Sequence, residues 1–141
     1  MHWGVKNVKS IKQSQSTVAQ ELADLGVDYI VGAHPHLLQS YVTLTASDGR
    51  TVPCFYSLGD FHSSIEQITG NRDSVILQIR LKRRSDGTVY LSSDSYIPCY
   101  TYTKYGGAHY VTVRVTSALS DYSAIHKRIV SAVGNQIAEY K

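Results

Sequence analysis

The chain has 141 residues, 43% apolar and 18% charged, a balance that fits one soluble globular domain and excludes disorder. Its net charge of +3 is small, and its basic residues are scattered apart from Lys82-Arg83-Arg84, so a nucleic-acid partner is not expected. No apolar run approaches the roughly 18 residues of a membrane span, and the N-terminus has no signal-peptide pattern.

The chain opens on His2-Trp3-Gly4, which reads like the end of a strand entering a loop. A first helix is predicted from about Ser16 to Leu25, with Val18, Leu22 and Leu25 on one face and Glu21 and Asp24 turned away. Thr17 and Gln20 resemble a capping box, and Gly26 is placed to stop the helix. The apolar run Val27–Val31 follows as a buried strand, giving one αβ half of a parallel unit. That strand ends in Gly32-Ala33-His34-Pro35-His36. Ligand sites of open α/β sheets gather at this edge, and imidazole is a common ligand for zinc and similar ions. The intervening proline fixes its own φ and biases His34 away from helical geometry, so the two rings sit on a stiff connection.

The texture then turns to β structure. Tyr41–Thr45 and Val52–Leu58 predict a hairpin around Ser47-Asp48-Gly49-Arg50. Val75, Leu77, Ile79 and Leu81 mark a strand with one apolar face, which turns at Asp86-Gly87 into Val89–Ser93. Tyr110–Val115 is a further strand. The periodicity of Tyr122, Ile125, Ile129, Val133 and Ile137 predicts a closing helix from about Asp121 to Tyr140, with Gly134 costing about 1 kcal/mol relative to alanine. Helices near both ends make the fold class α/β (α+β) rather than all-β. Cys54 and Cys99 each follow a proline at a strand position. A disulfide is open to them, although two isolated cysteines are more often small buried hydrophobes. Tyr96, Tyr100, Tyr102 and Tyr105 crowd a segment ending in Gly106-Gly107. They read as half-buried strand residues before an aromatic wall for a sugar or polymer. His62, His109 and His126 have no motif around them.

The ordered set His2-Trp3-Gly4, Leu25-Gly26-Val27-Asp28, Gly32-Ala33-His34-Pro35-His36 and Tyr56-Ser57-Leu58-Gly59-Asp60-Phe61 resembles the bacterial poly-gamma-glutamate capsule-biosynthesis (CapA-type) family. The resemblance covers roughly residues 1–100. It implies the C-terminal half of a calcineurin-like metallophosphoesterase-type β-sandwich flanked by helices, with residues 1–115 in that domain and 116–141 as a C-terminal helix. It further implies a centre of two divalent metal ions in the intact parent, His2 and His34 on one ion and His36 on the other. The family's earlier motifs, an Asp-bearing strand end and an Asn-His turn, are absent here, so the centre is expected to be incomplete and no catalytic residue is assigned. Lys6 and Asn7 stand where the family usually has Glu and Tyr, and Asp60 stands where it has Asn. Lysine beside a cation site reverses a charge, while Asp60 offers a harder oxygen ligand than an amide.

The resemblance therefore implies a fragment of a capsule-biosynthesis protein whose parent is a metal-dependent hydrolase at the bacterial cell surface, the fragment itself being inactive. The rival reading is a non-catalytic polymer-binding or assembly module. The expected partners are the missing N-terminal half of the domain, an anionic polymer or phosphorylated substrate, and a second copy in a homodimer, because exposed apolar faces and open strand edges favour association.

Overall fold

The computed structural model describes residues 1–64, 68–104 and 109–140. Helix α1 (Gln13–Asp24) leads into the short strand β1 (Ile30–Val31), and β2 (Leu38–Thr45) and β3 (Thr51–Leu58) form a hairpin. Strands β4 (Asp73–Arg83), β5 (Val89–Lys104) and β6 (His109–Arg114) form a meander, followed by α2 (Tyr122–Val133) and β7 (Ala138–Glu139). One sheet has the order β1-β3-β2, with β1 parallel to β3 and β2 antiparallel to it. The other runs β4-β5-β6, with β7 added in parallel to β5. The class is α+β.

Alternation along β3 builds two cores. Val52, Cys54 and Tyr56 turn toward α1 and pack with Ala19, Ala23, Ile30 and Ala46. Phe55 turns the other way, into a cluster of Tyr41, Val75, Tyr96, Ile125, Ile129 and Val133 drawn from both sheets and α2. Phe55 is fully buried, and burial of such a ring contributes about 1.5–3 kcal/mol. The two sheets are also tied by Asp94 of β5, whose Oδ2 accepts hydrogen bonds from Tyr29 and Tyr41, each at 2.8 Å. Burial and the Asp94 carboxylate push both phenols well above the ordinary tyrosine range.

Several boundaries differ from the sequence-based expectation. Helix α1 begins three residues before Ser16, capped where Gln15 Oε1 accepts the Lys12 N–H at 3.0 Å, so Thr17 and Gln20 form no capping box. Its buried face is Gln15, Ala19 and Ala23, with Leu22 partly buried, and Leu25 is 82% exposed. Small residues let the helix lie close against the sheet, which rotates its contact face away from the larger side chains. Gly26, at φ +99°, does end the helix, its N–H reaching Ala23 O and that of Val27 reaching Leu22 O.

Strand β1 is only two residues long, and β5 continues through Lys104 rather than stopping at Ser93. In β4, Val75 and Leu77 join the core while Ile79 and Leu81 remain exposed on the end of the hairpin. Helix α2 stops at Val133 because Gly134 takes φ +90°. The expected helix to Tyr140 is replaced by a turn that buries Ile137 and by β7. The thiols of Cys54 and Cys99 are free and buried, one in each sheet, and burial pushes the Cys54 thiol up to about 12.

Candidate functional site

Residues 1–3 lie beside the strand end that carries the His-Pro-His turn. The Ala33 N–H donates to Met1 O at 2.8 Å and the Trp3 N–H to Ala33 O at 3.2 Å, with His2 and Ala33 bridged in parallel. Trp3 fixes this arrangement from the inside. Its indole stacks on Tyr56 with ring centroids 5.3 Å apart and donates from Nε1 to Tyr56 O at 2.9 Å. The ring needs Gly32 beneath it, since a Cβ there would lie 2.3 Å from Trp3 Nε1 and 2.2 Å from Tyr56 O. The three motifs are therefore one interlocked unit, in which His-Trp-Gly, Gly-Ala-His and the Tyr56 strand each fill space the others leave.

This packing brings His2, His34 and His36 together. The His2 and His34 rings are 4.3 Å apart between centroids, and His34 and His36 are 6.0 Å apart. His2 is exposed and the other two are half-buried. Backbone strain concentrates at the same place. Among the described residues the non-glycine positions with left-handed φ are Asn7 (+60°), His34 (+99°) and His36 (+61°). Each such residue costs on the order of 1–3 kcal/mol, and strain of this kind clusters at functional sites. The Asn7 N–H holds the turn through Pro35 O at 2.8 Å, and Pro35 itself is buried.

Asp60 enters from the loop after β3. Its Oδ1 and Oδ2 lie 2.9 and 3.1 Å from His36 Nδ1. A carboxylate can only accept, so Nδ1 carries the proton; in the neutral ring the lone pair is then on Nε2. This is the usual arrangement behind a metal-ligating histidine, in which a carboxylate orients the ring and raises its basicity. The sequence reading offered Asp60 as a direct oxygen ligand, whereas the structure gives it to the imidazole.

A three-imidazole donor set is of the chemical type that a transition ion such as zinc takes. It does not by itself fit a carboxylate-bridged pair of ions. Among the described residues no group of three or more His, Cys, Asp and Glu side chains is arranged to hold a metal, and Asp60 is engaged by His36.

The other histidines lie outside this patch. His62 Nδ1 is 3.1 Å from Thr112 Oγ1, and His126 pairs with Glu139 of β7 at 2.7 Å. Tyr96 is buried, and Tyr100 and Tyr102 are half-buried with their own partners: Arg128 lies over Tyr100, and Tyr102 donates to Asp121. They are structural rather than a wall. Tyr105 and Gly106-Gly107 lie outside the described residues.

Sequence reasoning missed Asn71, which is fully buried beside His36 and Asn7. It sits 35 residues beyond His36 in an unremarkable Asn-Arg-Asp segment, with no local signal to mark it.

Residues 1–64 match the family described as bacterial capsule synthesis protein PGA_cap. The chain is 35% identical over 86 residues to the PGA biosynthesis protein CapA of Bacillus subtilis (strain 168), covering 61% of this chain and 21% of that protein. It is 36% identical over 90 residues to the capsule biosynthesis protein CapA of Bacillus anthracis, covering 64% of this chain and 20% of that protein. The chain thus spans about a fifth of the length of these curated relatives. No solved structure matches it.

Proposed function

We propose that this chain, whose residues 1–64 match the bacterial capsule synthesis protein family, carries one side of a divalent-metal site in a capsule-biosynthesis hydrolase with a metallophosphoesterase-like architecture. The observation that carries this reading is the convergence of His2, His34 and His36 on one strained edge, with Asp60 behind His36. In this reading His2 and His34 hold one ion and His36 reaches a second. Divalent ions held there would supply an acidified water and stabilise charge on a phosphoryl or acyl centre under attack.

The chain's own contribution is positional. Trp3, locked over Gly32, keeps His2 beside His34. Asp60 holds the His36 proton on Nδ1 and so leaves Nε2 for a ligand. The substrate class is an anionic polymer or a phosphorylated intermediate of its assembly, and the place of action is the bacterial surface. Among the described residues no helix is long and apolar enough to cross a membrane.

Calorimetric titration with zinc or manganese tests the reading. Loose binding that disappears in a His34→Ala, His36→Ala variant supports it. Tight binding of two ions contradicts the half-site argument, and binding unchanged in the variant removes the histidines from the site.

A further inference from the structure

The left-handed conformations of His36 and Asn7 need something to hold them, and the neighbouring buried amide is placed to do it. Asn71 is 0% exposed. Its Nδ2 reaches Asn7 Oδ1 at 3.3 Å and the His36 carbonyl oxygen at 3.5 Å, so both of its N–H donors go to residues with positive φ. Its Oδ1 has no partner among the described residues. Burying an amide with one end unpaired is costly, and a fold that retains one calls for an explanation.

The backbone around Asn71 is well anchored. The Asn71 N–H donates to Ile68 O at 3.1 Å, the Asp73 N–H to Gly70 O at 3.1 Å, and the Thr101 N–H of β5 to Arg72 O at 3.0 Å. Two residues on, Asp73 is held by Arg128 of α2 through bonds of 2.9 and 2.8 Å. The amide therefore projects from the turn that leads into β4 of the second sheet onto the turn between β1 and β2 of the first. The Asn7 N–H closes the circuit on Pro35 O, between the two histidines of the turn.

Resting on the metal-site reading above, we propose that the Asn7–Asn71 amide pair is a positioning device, clamping the His-Pro-His turn so that His36 keeps its ring on Asp60 and its Nε2 turned to the ligand. Asn71 touches no ligand in this scheme. It acts on His36 through the backbone carbonyl, and Asn7 is suited to its part because asparagine tolerates left-handed φ better than most residues. Without the clamp, His36 relaxes toward negative φ and its Nδ1 leaves Asp60.

The test uses the whole chain and three variants. Asn71→Ala removes both donors. Asn71→Asp keeps the size and the acceptor and loses the N–H groups. Asn7→Gly keeps a left-handed backbone at no steric cost and removes only the side-chain partner, so it folds even where Asn71→Ala does not. Long-range ¹⁵N–¹H spectra of the metal-free imidazoles read the His36 tautomer. Expected is a single Nδ1–H form in the parent chain and a mixture of tautomers in all three variants, with His126 unchanged. Zinc affinity, measured alongside, falls about tenfold in each, the low end of what loss of an outer supporting contact costs. An unaltered His36 tautomer in Asn7→Gly and Asn71→Asp overturns the clamp, whatever the zinc result. A parent chain that binds no zinc but shows the tautomer change overturns the metal reading and leaves the clamp standing.

Discussion

Replacing Gly32 with alanine probes the interlock on which the histidine patch depends. The new Cβ would fall 2.2 Å from Tyr56 O and 2.3 Å from Trp3 Nε1, separations that no real Cβ contact shows. Tyr56 O belongs to the central strand of its sheet and cannot yield, so the indole is displaced. The lost Trp3–Tyr56 hydrogen bond contributes about 1 kcal/mol and the ring pair about 1 kcal/mol more. Strain and a less well paired Tyr56 carbonyl add at least about 1 kcal/mol, for a total near 3 kcal/mol. That corresponds to a fall in Tm of roughly 10 °C for a domain of this size. Thermal and urea unfolding followed by circular dichroism read it. The double variant Gly32→Ala, Trp3→Ala is expected to fall short of the sum of the single effects by about 1 kcal/mol or more, because both remove the same indole contacts. A loss below about 0.5 kcal/mol, typical of an open surface position, would refute the interlock.

Other consequences follow from particular contacts. Asp60→Ala is expected to weaken zinc binding about 10–100-fold while leaving the unfolding midpoint within a few degrees, as measured by calorimetry beside thermal denaturation. Asp94→Ala strands two phenol groups and is expected to cost about 2 kcal/mol in urea unfolding, with less than additive loss when Tyr41→Phe is combined with it. The Cys54 thiol, raised by burial to about 12 from its ordinary 9.0, favours the folded chain at neutral pH. Its contribution is intact below pH 9 and is lost as the pH rises toward 12. Stability measured from pH 8 to 11 should therefore fall less steeply in Cys54→Ala than in the parent chain.

The elements legible in the sequence were those whose burial follows local periodicity. The β2–β3 hairpin, the β4–β5 turn and the core face of α2 all obey it, and Gly26 stops α1 where its backbone freedom is needed. Helix α1 misled because its contact face is Gln15, Ala19 and Ala23, two small residues and a buried amide bonded to Gln39 at 2.8 Å. Hydrophobic phase favoured Leu25, which the structure leaves in solvent. Helix α2 misled in the opposite sense. Ile137 stays in phase and is buried, but it reaches the core from beyond a left-handed glycine.

The grouping of His2, His34 and His36 at one edge was legible because the strand end and the three motifs lie within short stretches. Asp60 was visible only as a residue type, since whether a carboxylate ligates a metal or orients a ring depends on an approach across the sheet edge. Asn71 was invisible, its meaning residing in contacts to residues 35 and 64 positions away.

The central claim is that His2, His34 and His36 form one metal-binding edge. The most direct measurement is a titration with substoichiometric paramagnetic copper(II), observing the imidazole signals of the histidines in the whole chain. The account predicts that the His2, His34 and His36 signals broaden together at the first additions while those of His62 and His126 persist. Broadening that begins at His62 or His126, or that spares His34 and His36, would contradict it.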